Sequence, residues 1–192
     1  MFLETIRAVD GAIQNITYHQ ARYEATLKHF KKSRFFNLLE FINPPKKGLF
    51  RCRVVYDLDG DIDVGYHEYK KRVINKLKLV YSDIEYPFKY SDRVALDELF
   101  LQKQECDDVL IVKDDLVSDT TIANVAFFDG KVWLSPKKPL LKGSTRARYL
   151  EQKKIQEADI KVEDLSGFSK IALLNAMVDF DIIEKKIEDV IC

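Results

Sequence analysis

The sequence predicts an α+β fold of two subdomains. Three observations lead there: apolar residues alternate over short stretches, Asp-Gly turn signals at residues 10–11, 59–60 and 129–130 separate them, and helical spacing is interspersed without strict βαβ alternation. Residues 1–7 have strand character, Asp10-Gly11 marks a hairpin, and residues 12–16 return antiparallel. From Thr17, a candidate cap, Tyr18, Ala21, Ala25 and Phe30 fall near one face of a helix whose other face carries Arg22, Glu24 and Lys28. Residues 33–42 read as a second short amphipathic helix, ended by Asn43-Pro44-Pro45. Residues 49–57, 62–69 and 75–81 follow as strands of a small antiparallel sheet. Residues 1–82 therefore make a small amino-terminal subdomain, 83–88, with Pro87 and no period, a linker, and 89–192 a larger subdomain. In the latter, residues 91–102 are helical, and 109–112, 116–118, 125–128 and 132–134 are short strands. Gly143 begins a helix through Leu150, residues 155–162 and 171–174 add strands, and 180–191 form a charged closing helix.

Composition narrows the function. The 192 residues are 46% hydrophobic and 11% aromatic, enough apolar material for a core, so a disordered chain is excluded. Lys plus Arg total 31 and Asp plus Glu total 31, which argues against a basic nucleic-acid binder or a polybasic membrane protein. Only 7 glycines occur, too few and too dispersed for G-x-G-x-x-G; Gly60 and Gly65 have a P-loop gap but are followed by Tyr66 and His67. Rossmann and Walker-type nucleotide sites are excluded. Cys52, Cys106 and Cys192 are far apart and odd in number, which supports neither a disulfide framework nor a zinc pair and fits a reducing compartment. Glu4 stands where a signal peptide needs its apolar run, and no stretch approaches the roughly 18 apolar residues of a membrane span. The expectation is a soluble cytoplasmic protein. His19, His29 and His67 lack metal-ligand spacing, so no metal is expected.

Three stretches could carry chemistry. In Phe88-Lys89-Tyr90-Ser91-Asp92-Arg93, a lysine at the subdomain boundary becomes a usable amine nucleophile if desolvated, and is otherwise an ordinary solvated lysine. Lys142-Gly143-Ser144-Thr145-Arg146 opens a helix, whose N–H groups and dipole suit a phosphate, though an ordinary helix start capped by Ser144 or Thr145 reads the same way. The stretch from Asp119 through Thr120, Thr121, Ile122 and Ala123 to Asn124 places an acid at a strand end. Buried, that acid needs a cation such as a protonated ring nitrogen; exposed, it is a turn aspartate. Arg51 and Arg53, two apart on a strand, share a face that suits a carboxylate-bearing substrate if it is inner and solvent if it is outer.

Together and in this order, Glu4-Thr5-Ile6-Arg7 before Asp10-Gly11, Tyr18-His19-Gln20-Ala21-Arg22, the Lys89 segment, the Asp119 stretch and Gly143-Ser144-Thr145-Arg146 resemble the class IV aminotransferases, the fold-type IV pyridoxal-phosphate enzymes. The resemblance implies two subdomains with a cofactor cleft between them, pyridoxal 5'-phosphate (PLP) as cofactor, and a homodimer. It implies that Lys89 bonds covalently to the cofactor and then moves the substrate proton. Arg22, Ser144 and Thr145 would hold the cofactor phosphate, and Asp119 would pair with the ring nitrogen, where most members carry a glutamate. Val94 stands where branched-chain aminotransferases carry a tyrosine, whereas Lys89 and Arg93 are similar to the lysine segment of 4-amino-4-deoxychorismate lyases. The chain is also shorter than typical members, its amino-terminal half being trimmed. The expected activity is therefore a lyase releasing pyruvate and 4-aminobenzoate on the folate route. The alternatives are an amino-acid aminotransferase with the same first steps and a non-catalytic PLP-binding homologue.

Overall fold

A computed structural model describes residues 1–192. The chain divides into two compact units, one of Met1–Lys71 with Phe88–Asp92, the other of Arg72–Pro87 with Arg93–Cys192. No helix is long and apolar enough to cross a membrane.

In the first unit, β1 (Phe2–Val9) turns through Asp10 and Gly11, both at positive φ, into β2 (Ala12–Ile13). Helix α1 (Ile16–His29) follows, then β3 (Leu49–Tyr56) and β4 (Ile62–Glu68), in an antiparallel sheet of order β2-β1-β3-β4. Alternation sends Phe2, Ile6 and Ala8 of β1 and Cys52, Val54 and Tyr56 of β3 to one face, where they form a core with Tyr23 and Leu27 of α1. Asn15, rather than Thr17, precedes α1, in a left-handed conformation (φ 53°, ψ 32°) that its short polar side chain tolerates. The second helix expected over 33–42 is only a 3-10 turn, Leu38–Phe41. Gln20 of α1 takes the segment's backbone groups, donating to the Phe36 carbonyl (2.8 Å) and accepting from Leu38 N–H (2.9 Å), while Asn37 accepts from Leu39 N–H. Those groups are satisfied without a helix of their own.

The second unit begins with β5 (Leu77–Tyr81), α2 (Val94–Leu101), β6 (Asp108–Lys113) and β7 (Leu116–Thr120). Strand β5 does not extend the first sheet as the sequence suggests. It pairs parallel with β6 in a β5-β6-β7 sheet, because Leu77 and Leu110 bury in the same core as Val117, Val125 and Phe127. Next come β8 (Asn124–Phe128), β9 (Trp133–Pro136), α3 (Ser144–Glu151), β10 (Gln156–Ala158), β11 (Lys170–Asn175), β12 (Asp179–Ile183) and the one-turn α4 (Ile187–Val190). Strands β10-β9-β8-β11-β12 form a second sheet. Its central pairs Ile171–Phe127 and Leu173–Val125 face the main core, and Ala172–Ala126 faces Tyr149 and Leu150 of α3.

Residues 180–191 are thus mainly strand and short turn instead of one helix. The φ of 62° at Asp179 turns the chain back on β11, and Ile183 then buries opposite Ile171. Only β10 survives of the strand expected over 155–162. The sequence boundary at 83–88 also differs from the contact division: Leu3 N–H bonds the Lys89 carbonyl (2.8 Å), Ser91 N–H bonds the Met1 carbonyl, and Tyr90 bridges Phe2, drawing Phe88–Asp92 back to β1. Cys106 and Cys192, expected to be unpaired, are joined as a disulfide 86 residues apart, with Cα atoms 7.6 Å apart. Cys192 reaches that position because its N–H and carbonyl pair with Leu77 and Leu79 on the edge of β5. Leu110 is fully buried in the centre of the second unit's core. Leu110→Ala removes about 2–5 kcal/mol of stability, read as a lower urea midpoint with an unchanged slope.

Candidate active site

The first unit buries a carboxylate. Glu4 falls on the core face of β1, with no solvent exposure. His19 and Arg22, one helical turn apart on α1, reach it together. His19 Nδ1 lies 2.6 Å from Oε2, Arg22 Nε donates to Oε1 at 2.8 Å, and Arg22 Nη2 donates to Oε2 at 2.5 Å. Burial alone would raise the Glu4 pKa; the Arg22 charge and the bonds from His19 and Arg22 outweigh it and bring the value to about 2. Burial pushes the His19 imidazole down despite the pull of Glu4, so the ring stays neutral and its Nδ1 carries the proton given to the carboxylate. The Nε and Nη2 donors of Arg22 thus fix the guanidinium on the Glu4 carboxylate.

Lys89 belongs to the same unit. It is the middle residue of a three-residue turn closed by Tyr90 N–H on the Phe88 carbonyl (3.0 Å), and its own carbonyl accepts from Leu3 N–H. The flanking rings anchor it: Phe88 and Tyr90 pack against Phe2 with centroids 6.1 and 5.6 Å away. Lys89 itself is half-buried and near enough for its charge to act on His19. Arg51 and Arg53 lie on the sheet face opposite α1. The register sets Arg51 between Arg7 and His67, and Arg53 between Thr5 and Gly65. Arg51 is exposed, Arg53 is half-buried, and the buried Arg7 Nε has no hydrogen-bond partner.

The second unit gathers Asp119, Ser144 and Thr145. Asp119, the penultimate residue of β7, is 3% exposed. Asn124 Nδ2 donates to its Oδ1 (2.8 Å) and to the Leu141 carbonyl (2.8 Å), while Leu141 N–H donates to its Oδ2 (2.9 Å). Burial raises its pKa to about 7, against the lowering by Asn124, the Leu141 amide and the Arg146 charge. Gly143 precedes α3 with extended backbone and no side-chain cap, so the helix starts with uncapped N–H groups beside the buried Ser144 and Thr145. A Cβ at Gly143 would stand 2.0 Å from Asn124 Oδ1, so only glycine admits this approach. Arg146 is fixed in the same turn by the Pro136 carbonyl and Glu157 (both 2.7 Å).

Sequence reasoning did not assign roles to Glu4 or Asn124. An acid at a core position of β1, with His19 and Arg22 spaced to meet it, was the available signal for the first; nothing local marked the second, whose partners are 5 and 17 residues away.

Residues 90–183 match the family model "Amino-transferase class IV". A Haemophilus influenzae protein described only as uncharacterised is 38% identical over 181 residues, spanning 91% of this chain and 96% of the relative. The chain belongs to the class IV aminotransferase family. Within that family, the crystal structure of a Haemophilus somnus protein provisionally named a 4-amino-4-deoxychorismate lyase is 39% identical. It has a TM-score of 0.86 and covers 92% of this chain and 95% of its own. A Mycobacterium tuberculosis protein described as a hypothetical aminotransferase and solved with PLP bound shares the fold at 14% identity, with a TM-score of 0.79 over 99% of this chain and 80% of its own. Class IV aminotransferases are PLP-dependent enzymes of mixed α and β structure, and this chain has that fold. The family match contains Asp119, Ser144 and Thr145 and begins one residue after Lys89.

The two buried carboxyls give opposite pH dependences. Glu4, lowered in the folded state, contributes stability that is present above its ordinary value of 4.5 and lost as pH falls toward 2; that lowering corresponds to about 3 kcal/mol. Wild-type urea stability therefore drops between pH 5 and 3 relative to Glu4→Gln. Asp119, raised to about 7, favours the folded state below its ordinary 3.8 and costs stability as pH rises to 7. Between pH 5 and 7, wild type loses stability relative to Asp119→Asn by on the order of 1 kcal/mol per pH unit, measured on protein without PLP.

Proposed function

We propose that the chain is a PLP-dependent lyase that converts 4-amino-4-deoxychorismate into 4-aminobenzoate and pyruvate. The observation that carries this reading is the near-full-length 39% identity to the Haemophilus somnus protein provisionally named for that activity. The residues present suit the cofactor. Asp119 is a buried acid whose ionisation is held back by burial, so a protonated ring nitrogen is the partner that would favour its charged form. The uncapped first turn of α3, with Ser144 and Thr145, suits a phosphate monoester, as does the pre-oriented guanidinium of Arg22. When bound, PLP withdraws electrons from the carbon bearing the substrate amine.

This chain's own residues then divide the work. Lys89 supplies the amine that holds the cofactor and, once freed, the base that takes the proton from the substrate Cα. Its turn and flanking rings fix the main chain from which that amine swings. Glu4 and His19 keep Arg22 aimed, and Asn124 with the Leu141 amide keeps Asp119 aimed. Arg7, Arg51 and Arg53 share a cationic sheet face suited to a substrate bearing carboxylates. Arg7 stands directly opposite Arg51 in the register, a like-charge pairing that a carboxylate would favour, and its buried Nε has no hydrogen-bond partner. The working molecule is a homodimer in a soluble, cytoplasmic setting, where Cys106 and Cys192 would stay reduced, side by side.

An aminotransferase would use Lys89, Asp119 and Arg22 in the same roles and differ in needing a second substrate. Incubating the protein with PLP and 4-amino-4-deoxychorismate, without any keto acid, is expected to yield pyruvate and 4-aminobenzoate in equal amounts. Pyruvate absent under those conditions would sink the lyase reading. Lys89→Ala is expected to lower turnover by roughly 10²–10⁴-fold or more while the apoprotein melts as wild type does. Arg51→Ala or Arg53→Ala is expected to raise KM about tenfold with a smaller change in kcat.

A further inference from the structure

Asp108 is a second buried carboxyl of the second unit, outside the set assigned above. It opens β6 with no solvent exposure. Its Oδ1 accepts from Val109 N–H (2.8 Å) and from the Thr121 hydroxyl (2.7 Å), and its buried Oδ2 has no partner. A carboxyl with an orphaned buried oxygen costs stability that an apolar residue of like size would not. What that cost maintains is a hold on Thr121, which lies in the turn between Asp119 and Asn124. The carbonyl of the same residue accepts from Arg93 Nη2 (2.9 Å), and the next carbonyl, of Ile122, accepts from Asn175 Nδ2 (3.3 Å). Inside the turn, the Thr120 hydroxyl accepts from Ala123 N–H (3.0 Å). The turn is therefore closed on itself and tied from outside at two successive residues.

We propose that Asp108 and Arg93 are positioning residues that clamp Thr121, Asp108 on its hydroxyl and Arg93 on its carbonyl, and so set where the Asp119 carboxyl is presented to the cofactor ring. The clamp acts through geometry. With only two side-chain torsions, Asp119 has little freedom to correct its reach by rotation, so its backbone must be placed tightly. Burial holds the Asp108 carboxyl toward its neutral form, which still offers Oδ1 as an acceptor. The inference rests on the PLP reading given above.

The test titrates PLP into wild type, Thr121→Val, Thr121→Ser, Asp108→Asn and Arg93→Met. It records the PLP dissociation constant and the pH dependence of the visible absorption band, with apoprotein melting measured alongside. Thr121→Ser and Asp108→Asn keep a donor and an acceptor in place and are expected to match wild type. Thr121→Val is expected to weaken PLP about five- to tenfold and to shift the apparent pKa of the band. Arg93→Met, at a partly exposed side chain that tolerates replacement, is expected to shift it in the same direction, and it carries the test should Thr121→Val not fold. A Thr121→Val or Arg93→Met protein with wild-type affinity and band overturns the clamp, as does Thr121→Ser behaving like Thr121→Val. Wild type that takes up no PLP overturns the cofactor reading itself, a result distinct from a normal wild type with silent variants.

Discussion

Each unit of this chain has to bury a carboxyl group beside the residues that would meet a cofactor, and the two solutions are opposite. Glu4 is surrounded by a guanidinium and an imidazole N–H and stays charged far into acid. Asp119 is given only amide donors at contact distance, with the Arg146 charge as a lesser influence, and burial holds its ionisation near neutrality. The first arrangement spends the charge internally, as a scaffold for Arg22. The second leaves a demand for positive charge that the protein does not meet with a contact of its own. The two acids are thus told apart by what surrounds them, since both are almost wholly buried, and under the proposed function Asp119 is the one that would meet a cation.

Much of the fold was legible because its signals are local. Asp10-Gly11 and Asp129-Gly130 mark hairpins wherever they occur, and β3, β4, β6 and β8 alternate or run apolar over lengths that only strands have. The failures share one cause, competition from residues distant in sequence. Gln20 supplies the bonds that residues 36–38 would otherwise make in a helix, and β11 captures residues 179–183, whose charged flanks resemble a helix end. Strand β5 has the same period in either sheet; only the burial of Leu77 against Leu110 and Val117 decides which sheet it joins.

The candidate site was legible to a similar depth. Lys89, Arg22, Asp119, Ser144 and Thr145 stand in motifs that a single chain displays in order. Their supports do not: Asn124 reaches Asp119 and Leu141 only once β7 and β8 are adjacent, and Arg7 meets Arg51 only through a register of strands 44 residues apart. The pairing of Cys106 with Cys192 belongs to the same class, since spacing alone offers no reason to connect them. Motif residues are visible because their chemistry is written at one position, whereas positioning depends on pairs.

The close approach at Gly143 bears on motion. With no side chain between them, Asn124 at the start of β8 and the first turn of α3 are in direct contact, and Asn124 is itself bonded to Leu141 just upstream. Strand β8 lies in the middle of a five-stranded sheet, so displacing Asn124 means disturbing the sheet. The segment 141–145, which otherwise would fluctuate as surface connections do, is therefore tied to the middle strand of that sheet. The Leu141 amide, bonded to Asp119, should exchange with solvent only as that contact opens, and the helix start and the buried acid move together instead of independently.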